Sequence, residues 1–384
     1  MRVTRDAVRA ARVAALGLAE RVPAGRAASA AAPGLRDTPA GVFRDAVAAR
    51  VEPATESNRR LISDGGTNRQ VDDGLVGVWG PRAAPYVVAQ GDLAVFTRGA
   101  LPVDEASARA FAPSAVKALD PHGIALLDAF AEVERAMRAA VADGPVERDD
   151  MHEQLREALP PALLWACKGC GTRHVHPVLW RAACTMGSVR RDDASASRAV
   201  TYAAVASPPG RAGDTEARAE LTRRAVHHHG PLTQAELAAW LSVSKADARA
   251  RLEAVAGELE EVDRAGDAAW ALSKDADALA DPPAITGVRL LAAGDPLLDG
   301  RDRASVVADA TAQKEVWKMI SSPGVVLADG NVAGTWRAKA KGKRLEVTLS
   351  SLGGARLPAA ARVAPEADAL AAGRGLEGAA VTRS

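Results

Sequence analysis

The residues able to do chemistry fall into a few clusters. Cys167 and Cys170 are separated by two residues, His174 and His176 follow, and Cys184 comes later. Thiolates and imidazoles at that spacing can bind zinc. No second Cys-x-x-Cys follows, so the plainer reading is a turn with two structural thiols. If a metal binds, Cys167, Cys170 and His174 are the candidate ligands; otherwise no metal and no cofactor is expected. A redox role fits less well, because no thioredoxin-like strand–helix pattern surrounds the pair. His227-His-His229 stands just before Gly230. Those imidazoles read as cations at a helix C-terminus with Gly230 as the cap, and a metal cluster is the alternative. Basic residues gather at Arg301-Asp302-Arg303 and at Lys339, Lys341, Lys343 and Arg344. Each run is either a phosphate contact or a solvated turn. No phosphate loop, dinucleotide fingerprint, nucleophile elbow or zinc-protease motif occurs, so those enzyme classes lack support.

The elements that must position these residues are clearest near residue 240. Thr233 precedes Glu236 by three residues, a capping box in which each side chain satisfies an amide of the other's turn. Leu237, Trp240 and Leu241 then give one buried face. Ser244 caps a second helix that buries Ala248, Leu252 and Val255 and carries Lys245, Arg249 and Arg251 on its other face. Two strands follow, near Val262–Leu272. Helix, turn, helix and a strand pair form the order of a winged helix. In helix-turn-helix proteins the second helix enters the major groove, where Lys and Arg reach phosphates or guanine. The plainer reading is a packing module, since Asp247, Glu253, Glu258, Glu260 and Glu261 dilute the charge.

The same punctuation occurs earlier. Gly144-Pro-Val146 matches Gly230-Pro-Leu232, and in that register Leu155 falls opposite Leu241. A helix precedes each copy, Leu126 to Val141 and Leu221 to His228, and a charged turn between strands follows, near Val189–Val200 in the earlier one. The period fits tandem small domains. Residues 1–110 read as a first, degenerate winged helix, with a helix over 4–20, a loop over 23–33 and helices over Val42–Val51 and Ser57–Ile62. Strands near Val76–Trp79 and Tyr86–Val88 complete it. Residues 112–206 hold the second module and 214–275 the third. Residues 284–372 form a mostly antiparallel β region, with strands at 287–291, 324–328, 332–336 and 344–349 and a turn at Asp329-Gly330. The tail from Pro365 reads as helical, then frayed. The fold class is α+β.

Composition bounds the partners. The chain has 384 residues and a net charge of only +1, so any nucleic-acid surface must be a local stripe. Aromatic residues make up 3%, too few for stacking platforms that hold single strands. Three cysteines in this length give no disulfide framework and suit a reducing compartment. No apolar run approaches the roughly 20 residues that span a bilayer, and the N-terminal Arg- and Ala-rich stretch lacks the apolar core of a targeting peptide. These features lead to the expectation of a cytoplasmic monomer.

Several motifs resemble one family. They are Trp79-Gly-Pro-Arg82 with Ala84-Pro85, Cys167-Lys-Gly-Cys-Gly-Thr-Arg-His174, and Gly230-Pro-Leu-Thr233 with Trp240 and Leu241. The stretch Leu290-Leu-Ala-Ala-Gly-Asp-Pro-Leu-Leu-Asp-Gly-Arg-Asp-Arg303 joins them, with Trp317, Pro323-Gly-Val-Val326, Asp329-Gly330 and Gly334-Thr-Trp-Arg337 after it. In order and spacing they resemble the AlkZ-like winged-helix DNA-binding family, over residues 34 to 350. The resemblance implies three tandem winged helices in a C-shaped molecule that holds double-stranded DNA. Characterised members are bacterial DNA glycosylases that remove bulky alkyl adducts and unhook interstrand crosslinks. They carry a Gln-aliphatic-Gln or Gln-aliphatic-Asp motif after a Gly-Leu pair, which positions water and steadies charge. The matching segment here is Gly34-Leu-Arg-Asp-Thr-Pro39. Arg36 and Thr38 take the polar positions and Asp37 the aliphatic one. An arginine's charge would oppose an oxocarbenium-like sugar, and Thr38 can hold a water but not deprotonate it. The expectation is a DNA-binding protein, recognising damaged duplex, with the glycosylase motif degenerate. The alternative is an active glycosylase acting on N7-alkylated purines or crosslinks through a variant site at Arg36, Asp37 and Thr38. The resemblance also implies that the Arg301–Arg303 loop faces DNA. The candidate DNA contacts are Arg82, Lys245, Arg249, Arg301 and Arg303.

Overall fold

A computed structural model describes residues 1–52, 74–192, 200–206, 208 and 214–384. The helix expected over Ser57–Ile62 lies outside the described residues. Contacts divide the chain into two units: Met1–Gly65, Arg223–Glu236 and Gly257–Ser384 form one, and Gly66–Thr222 with Leu237–Ala256 the other.

The first unit centres on a five-stranded sheet in the order Val288–Leu291, Gly324–Ala328, Asn331–Lys341, Arg344–Ser351, Gly378–Arg383. The first three pairings are antiparallel and the last is parallel. The parallel pairing needs a crossover, and the helix Ala360–Gly373 supplies it. That helix packs Val363, Ala367 and Leu370 against Leu345, Val347 and Leu349, the inward residues of an alternating strand. On the opposite face, Leu291, Val325 and Leu327 meet Val13, Leu16, Leu297 and Leu298. Asp329 and Gly330 both have positive φ, 49° and 75°, as a two-residue hairpin whose twist matches its strands requires. At Gly324 the Trp336 ring and the Leu291 carbonyl occupy the space a Cβ would need. Trp336 donates its ring N–H to that carbonyl at 2.9 Å.

The remaining sheet of this unit pairs Leu259–Arg264 with Asp267–Leu272 through a turn at Ala265-Gly266. Leu232 bridges to Trp270 on its outer side, and Arg2–Val3 adds a parallel strand beside Leu259–Arg264. The Thr233–Glu236 capping box forms as its spacing predicts: Glu236 N–H donates to Thr233 Oγ1 at 3.2 Å and Thr233 N–H to Glu236 Oε2 at 2.7 Å.

The second unit gathers the helices Glu105–Phe111, Pro113–Leu119, Leu126–Ala140, Arg148–Ala158 and Pro177–Thr185 around Phe111, Phe130, Met137, Met151, Leu155 and Trp180. Val146–Glu147, Thr201–Ala204 and Val189–Asp192 form a sheet with Thr201–Ala204 in the middle. A short hairpin, Leu164–Ala166 with Arg173–Val175, comes between the last two helices. The Lys245–Glu253 helix also belongs to this unit and is capped by Ser244, which accepts from Asp247 N–H at 3.0 Å.

Several boundaries differ from expectation for local reasons. The N-terminal helix runs over Arg5–Ala15 and not to residue 20. Gly17, at φ 65°, lets Leu18 N–H turn back to the Val13 carbonyl and close the helix end. Residues 23–33, expected as a loop, contain the short helical turns Ala24–Arg26 and Ala27–Ala30. The tail does not fray: Gly378–Arg383 is a strand on the sheet edge. Its short apolar pattern carries no signal apart from its neighbour.

The histidine run also differs from a simple cationic cap. The helix ends at His229 and Gly230 follows, but His228 is buried. Burial, then the neighbouring His227, His229 and Arg224, hold its imidazole well below the ordinary 6.5, against a hydrogen bond with the Arg224 backbone. A neutral buried imidazole contributes fully above the unfolded value of about 6.5, and that contribution is lost as pH falls below it. Melting temperature should therefore fall between pH 7 and pH 5 in the native chain, with a shallower slope in His228→Gln. Equal slopes in circular dichroism melts would contradict this assignment.

Candidate DNA interface and glycosylase-motif position

Within the first unit, the segment matching the glycosylase motif sits on a framework of ion pairs. Arg50 closes the helix Phe43–Arg50, and its guanidinium meets both oxygens of Asp295 at 2.7 and 2.9 Å. Both side chains are essentially inaccessible, at 1% and 0%. Arg50 also donates to the carbonyls of Leu16 and Ala46, at 2.8 and 3.0 Å. Asp295 Oδ1 accepts from Leu297 N–H at 3.0 Å, so it caps the Pro296–Asp299 turn as well. Every strong group in the pair is matched, the condition under which a buried ion pair is tolerated.

Asp299, at the end of that turn, faces Arg36 at 3.6 Å. The aliphatic stem of Arg36 lies against Gly294, and its Nε is buried without a hydrogen-bond partner among the described residues. Asp37 is buried, and its Oδ1 accepts from the amides of Gly41 and Phe43 at 2.6 and 3.4 Å. Thr38 is exposed and precedes a cis proline. The three residues thus have separate jobs: one ion-paired, one closing a turn, one at the surface.

A second network lies in the Arg301–Arg303 loop. Asp302 sits between Arg12 at 3.1 Å and Arg264 at 3.3 Å, and Arg264 also holds Glu236 at 2.9 Å. Arg12 donates to the carbonyls of Gly230 and Pro231, at 2.9 and 3.2 Å. Burial raises the Asp302 carboxyl, but Arg12, Ser305 and Arg264 outweigh it and hold it below the ordinary carboxylate value. The loop is anchored by its aspartate while Arg301 and Arg303 stay exposed. Arg303 lies over the Trp317 ring at 5.0 Å.

In the second unit, Arg82 lies in a left-handed conformation, φ 62°, between two strands. Its guanidinium donates to the Trp240 carbonyl at 2.7 Å and to the Tyr86 hydroxyl at 2.9 Å. On the Lys245–Glu253 helix, Lys245 and Arg249 are exposed, and Arg249 pairs with Glu253 at 2.8 Å. Arg251, expected beside them on the open face, is buried. It holds Asp247 at 3.2 Å and donates to the Gly99 and Leu101 carbonyls at 2.8 and 3.2 Å. Burial and the nearby Arg218, against Asp247, push its guanidinium down to about 10. The i, i+4 step from Asp247 to Arg251 was the available signal for this inward pairing. The Pro177–Thr185 helix is more deeply buried: Leu179, Trp180, Ala182, Ala183, Cys184 and Thr185 are all inaccessible or nearly so.

The basic hairpin tip near Gly342 is laced to acids. Lys341 meets Glu346 at 3.3 Å and Lys343 meets Glu377 at 2.6 Å, while Lys339 lies cross-strand from Glu346. The cysteine cluster is assembled: the ligand atoms of Cys167, Cys170 and His174 lie within 4.8 Å of one another. Cys184 is buried far from water, which pushes its thiol up, and His176 is used as the cap of the Pro177–Thr185 helix. No described helix is long and apolar enough to cross a membrane.

Sequence reading missed Arg50 and the anchoring roles of Arg12 and Arg264. Only the Asp295-Pro296 dipeptide, a cap followed by proline at the first helical position, hinted at the framework. Arg50→Met leaves Asp295 buried and unpaired, and should cost about 3–5 kcal/mol in urea denaturation. Arg109→Met removes the pair with Asp120, in which both side chains are nearly half exposed, and should leave the midpoint almost unchanged. Equal losses in the two variants would contradict the framework role.

No curated protein matches the chain by sequence. Among solved structures, the Streptomyces sahachiroi DNA glycosylase AlkZ is similar over all of both chains, with a TM-score of 0.75 at 20% identity. That likeness concerns the fold. The sequence family described as DNA glycosylase AlkZ-like matches residues 46–372, which begins after Arg36, Asp37 and Thr38 and takes in Arg50, Asp295 and Asp302. The chain belongs to the AlkZ-like DNA glycosylase family.

Proposed function

We propose that this protein binds double-stranded DNA through tandem winged-helix modules, and that its Arg36-Asp37-Thr38 position does not run glycosylase chemistry through paired polar side chains. One observation carries the binding half. After Leu126–Ala140, a short strand at Val146 leads to two helices, separated by the Leu164–Ala166/Arg173–Val175 hairpin, and then to a second hairpin whose later strand pairs with the first strand. After Asp214–His229, Leu232 leads to two helices and a hairpin, and the later strand again bridges to it through Trp270. That repeated strand order supports the winged-helix reading of both segments. Family membership supports DNA as the ligand and repair as the setting.

The silent-site half rests on chemistry. A glycosylase must steady a cationic sugar and orient water on it. Arg36 brings positive charge and is turned to Asp299. Asp37 spends its Oδ1 on backbone amides inside the protein. The second reading, an active enzyme with a variant site, draws on Thr38, whose exposure leaves its hydroxyl accessible to a water. Lys245, Arg249, Arg301 and Arg303 are the proposed phosphate contacts. Arg82 is proposed to act indirectly, by bracing the turn that it bonds across.

Fluorescence anisotropy with undamaged and alkylated duplex, across a salt series, tests the binding half. Affinity should fall linearly in log–log form through counterion release. Alanine at Lys245, Arg249, Arg301 or Arg303 should each reduce the slope by about one where a phosphate contact is lost. No binding at low salt would sink the proposal, and so would binding indifferent to salt.

A further inference from the structure

We propose that Cys167, Cys170 and His174 form a zinc-binding site, with a fourth coordination position open to water. The three ligand atoms are already within 4.8 Å of one another. Tetrahedral zinc, with Zn–S near 2.3 Å and Zn–N near 2.0 Å, sets them about 3.6–3.8 Å apart, so a contraction of about 1 Å closes the site.

The backbone between the cysteines has the form of a metal knuckle. Gly171 N–H donates to the Cys167 carbonyl at 3.0 Å, and Cys167 N–H donates to the Thr172 carbonyl at 2.9 Å. Gly171 takes φ 71°, a left-handed turn that suits glycine. Thr172 Oγ1 lies 3.3 Å from Cys170 Sγ, offering the second sulfur a donor of its own.

His174 completes the set from the facing strand. Its Nδ1 lies 2.7 Å from the Val175 carbonyl. With the proton on Nδ1, Nε2 presents its lone pair, and a carbonyl partner on the far nitrogen is the usual way a metal-bound histidine is oriented. The ring is held between neighbours, with His152 at 4.9 Å and Trp165 at 6.3 Å between centroids. His176 and Cys184, the other candidates, are otherwise used. A hairpin of three-residue strands, Leu164–Ala166 and Arg173–Val175, buries little by itself, and a metal clamp across its open end would hold it. The three donors suit zinc by type: two soft sulfurs and an imidazole.

The test uses the full-length reduced protein. After chelator treatment and desalting, it is titrated with cobalt(II) and then zinc, and metal content is measured after gel filtration. The expected result is about one metal per chain, thiolate-to-cobalt charge-transfer bands with tetrahedral visible bands, and displacement by zinc. Binding should tighten as pH rises, because thiols release protons on ligation. Cys170→Ser and His174→Ala should lose the bound metal, while Lys168→Ala and His176→Asn keep it, with folding checked by circular dichroism. A native chain that takes up no stoichiometric metal overturns the proposal. Uptake that survives Cys170→Ser does so as well, as does a Cys167–Cys170 disulfide that is the stable form under reducing conditions. The cobalt titration of the native chain decides the matter even if a variant folds poorly.

Discussion

The first unit depends on a salt bridge that water does not reach. Arg50 and Asp295 meet through two hydrogen bonds with both side chains inaccessible. Burying two charges costs several kcal/mol per ion unless their hydrogen-bonding capacity is met. Here Arg50 also binds two carbonyls and Asp295 also caps the turn that follows it. That arrangement fixes where the Pro296–Asp299 turn begins, and therefore where Asp299 stands. Asp299 in turn faces Arg36. A residue in the glycosylase-motif position is thus oriented by a pair of charges that the motif does not contain.

A second constraint bears on how DNA could be read. A recognition helix must offer a polar face to the groove. Pro177–Thr185 is apolar and largely buried, and Lys245–Glu253 spends Asp247 and Arg251 on its own unit. On Lys245–Glu253 the exposed cations are Lys245 and Arg249, and Arg249 is paired with Glu253. In the proposed DNA-binding function, these helices would support loops and a few surface cations and would not read base edges. With a net charge of +1, the proposed DNA binding would rest on local cations such as Arg301 and Arg303, set beside an anchored aspartate.

Much of the fold was legible because its signals are local. The capping box at Thr233 and Glu236, the turn at Asp329-Gly330 and the repeated Gly-Pro before Val146 and Leu232 each act over a few residues, and each marks an element that forms. Family motifs reached further and agree with the matched residues 46–372. What stayed hidden was pairing across long sequence separations. Arg50 with Asp295, Arg12 with Asp302, and the strand Gly378–Arg383 beside Arg344–Ser351 leave no pattern in either partner alone. The candidate site shows the same division. Arg36, Asp37 and Thr38 could be located by alignment to a motif, but their separate roles follow only from distant neighbours. Arg251 was misplaced on the open face because its helix gives little amphipathic contrast, and the Asp247 beneath it decides the matter.

The proposed function gives this AlkZ-like chain a motif position devoted to structural work. The most direct measurement incubates the protein with a duplex carrying one N7-alkylguanine and counts abasic sites after alkaline or diamine cleavage. The predicted result is no product above the spontaneous loss of the base, at protein concentrations that saturate the duplex. Product formed well above that background, and abolished in Thr38→Ala or Asp37→Ala, would contradict the claim and assign the chemistry to the variant motif.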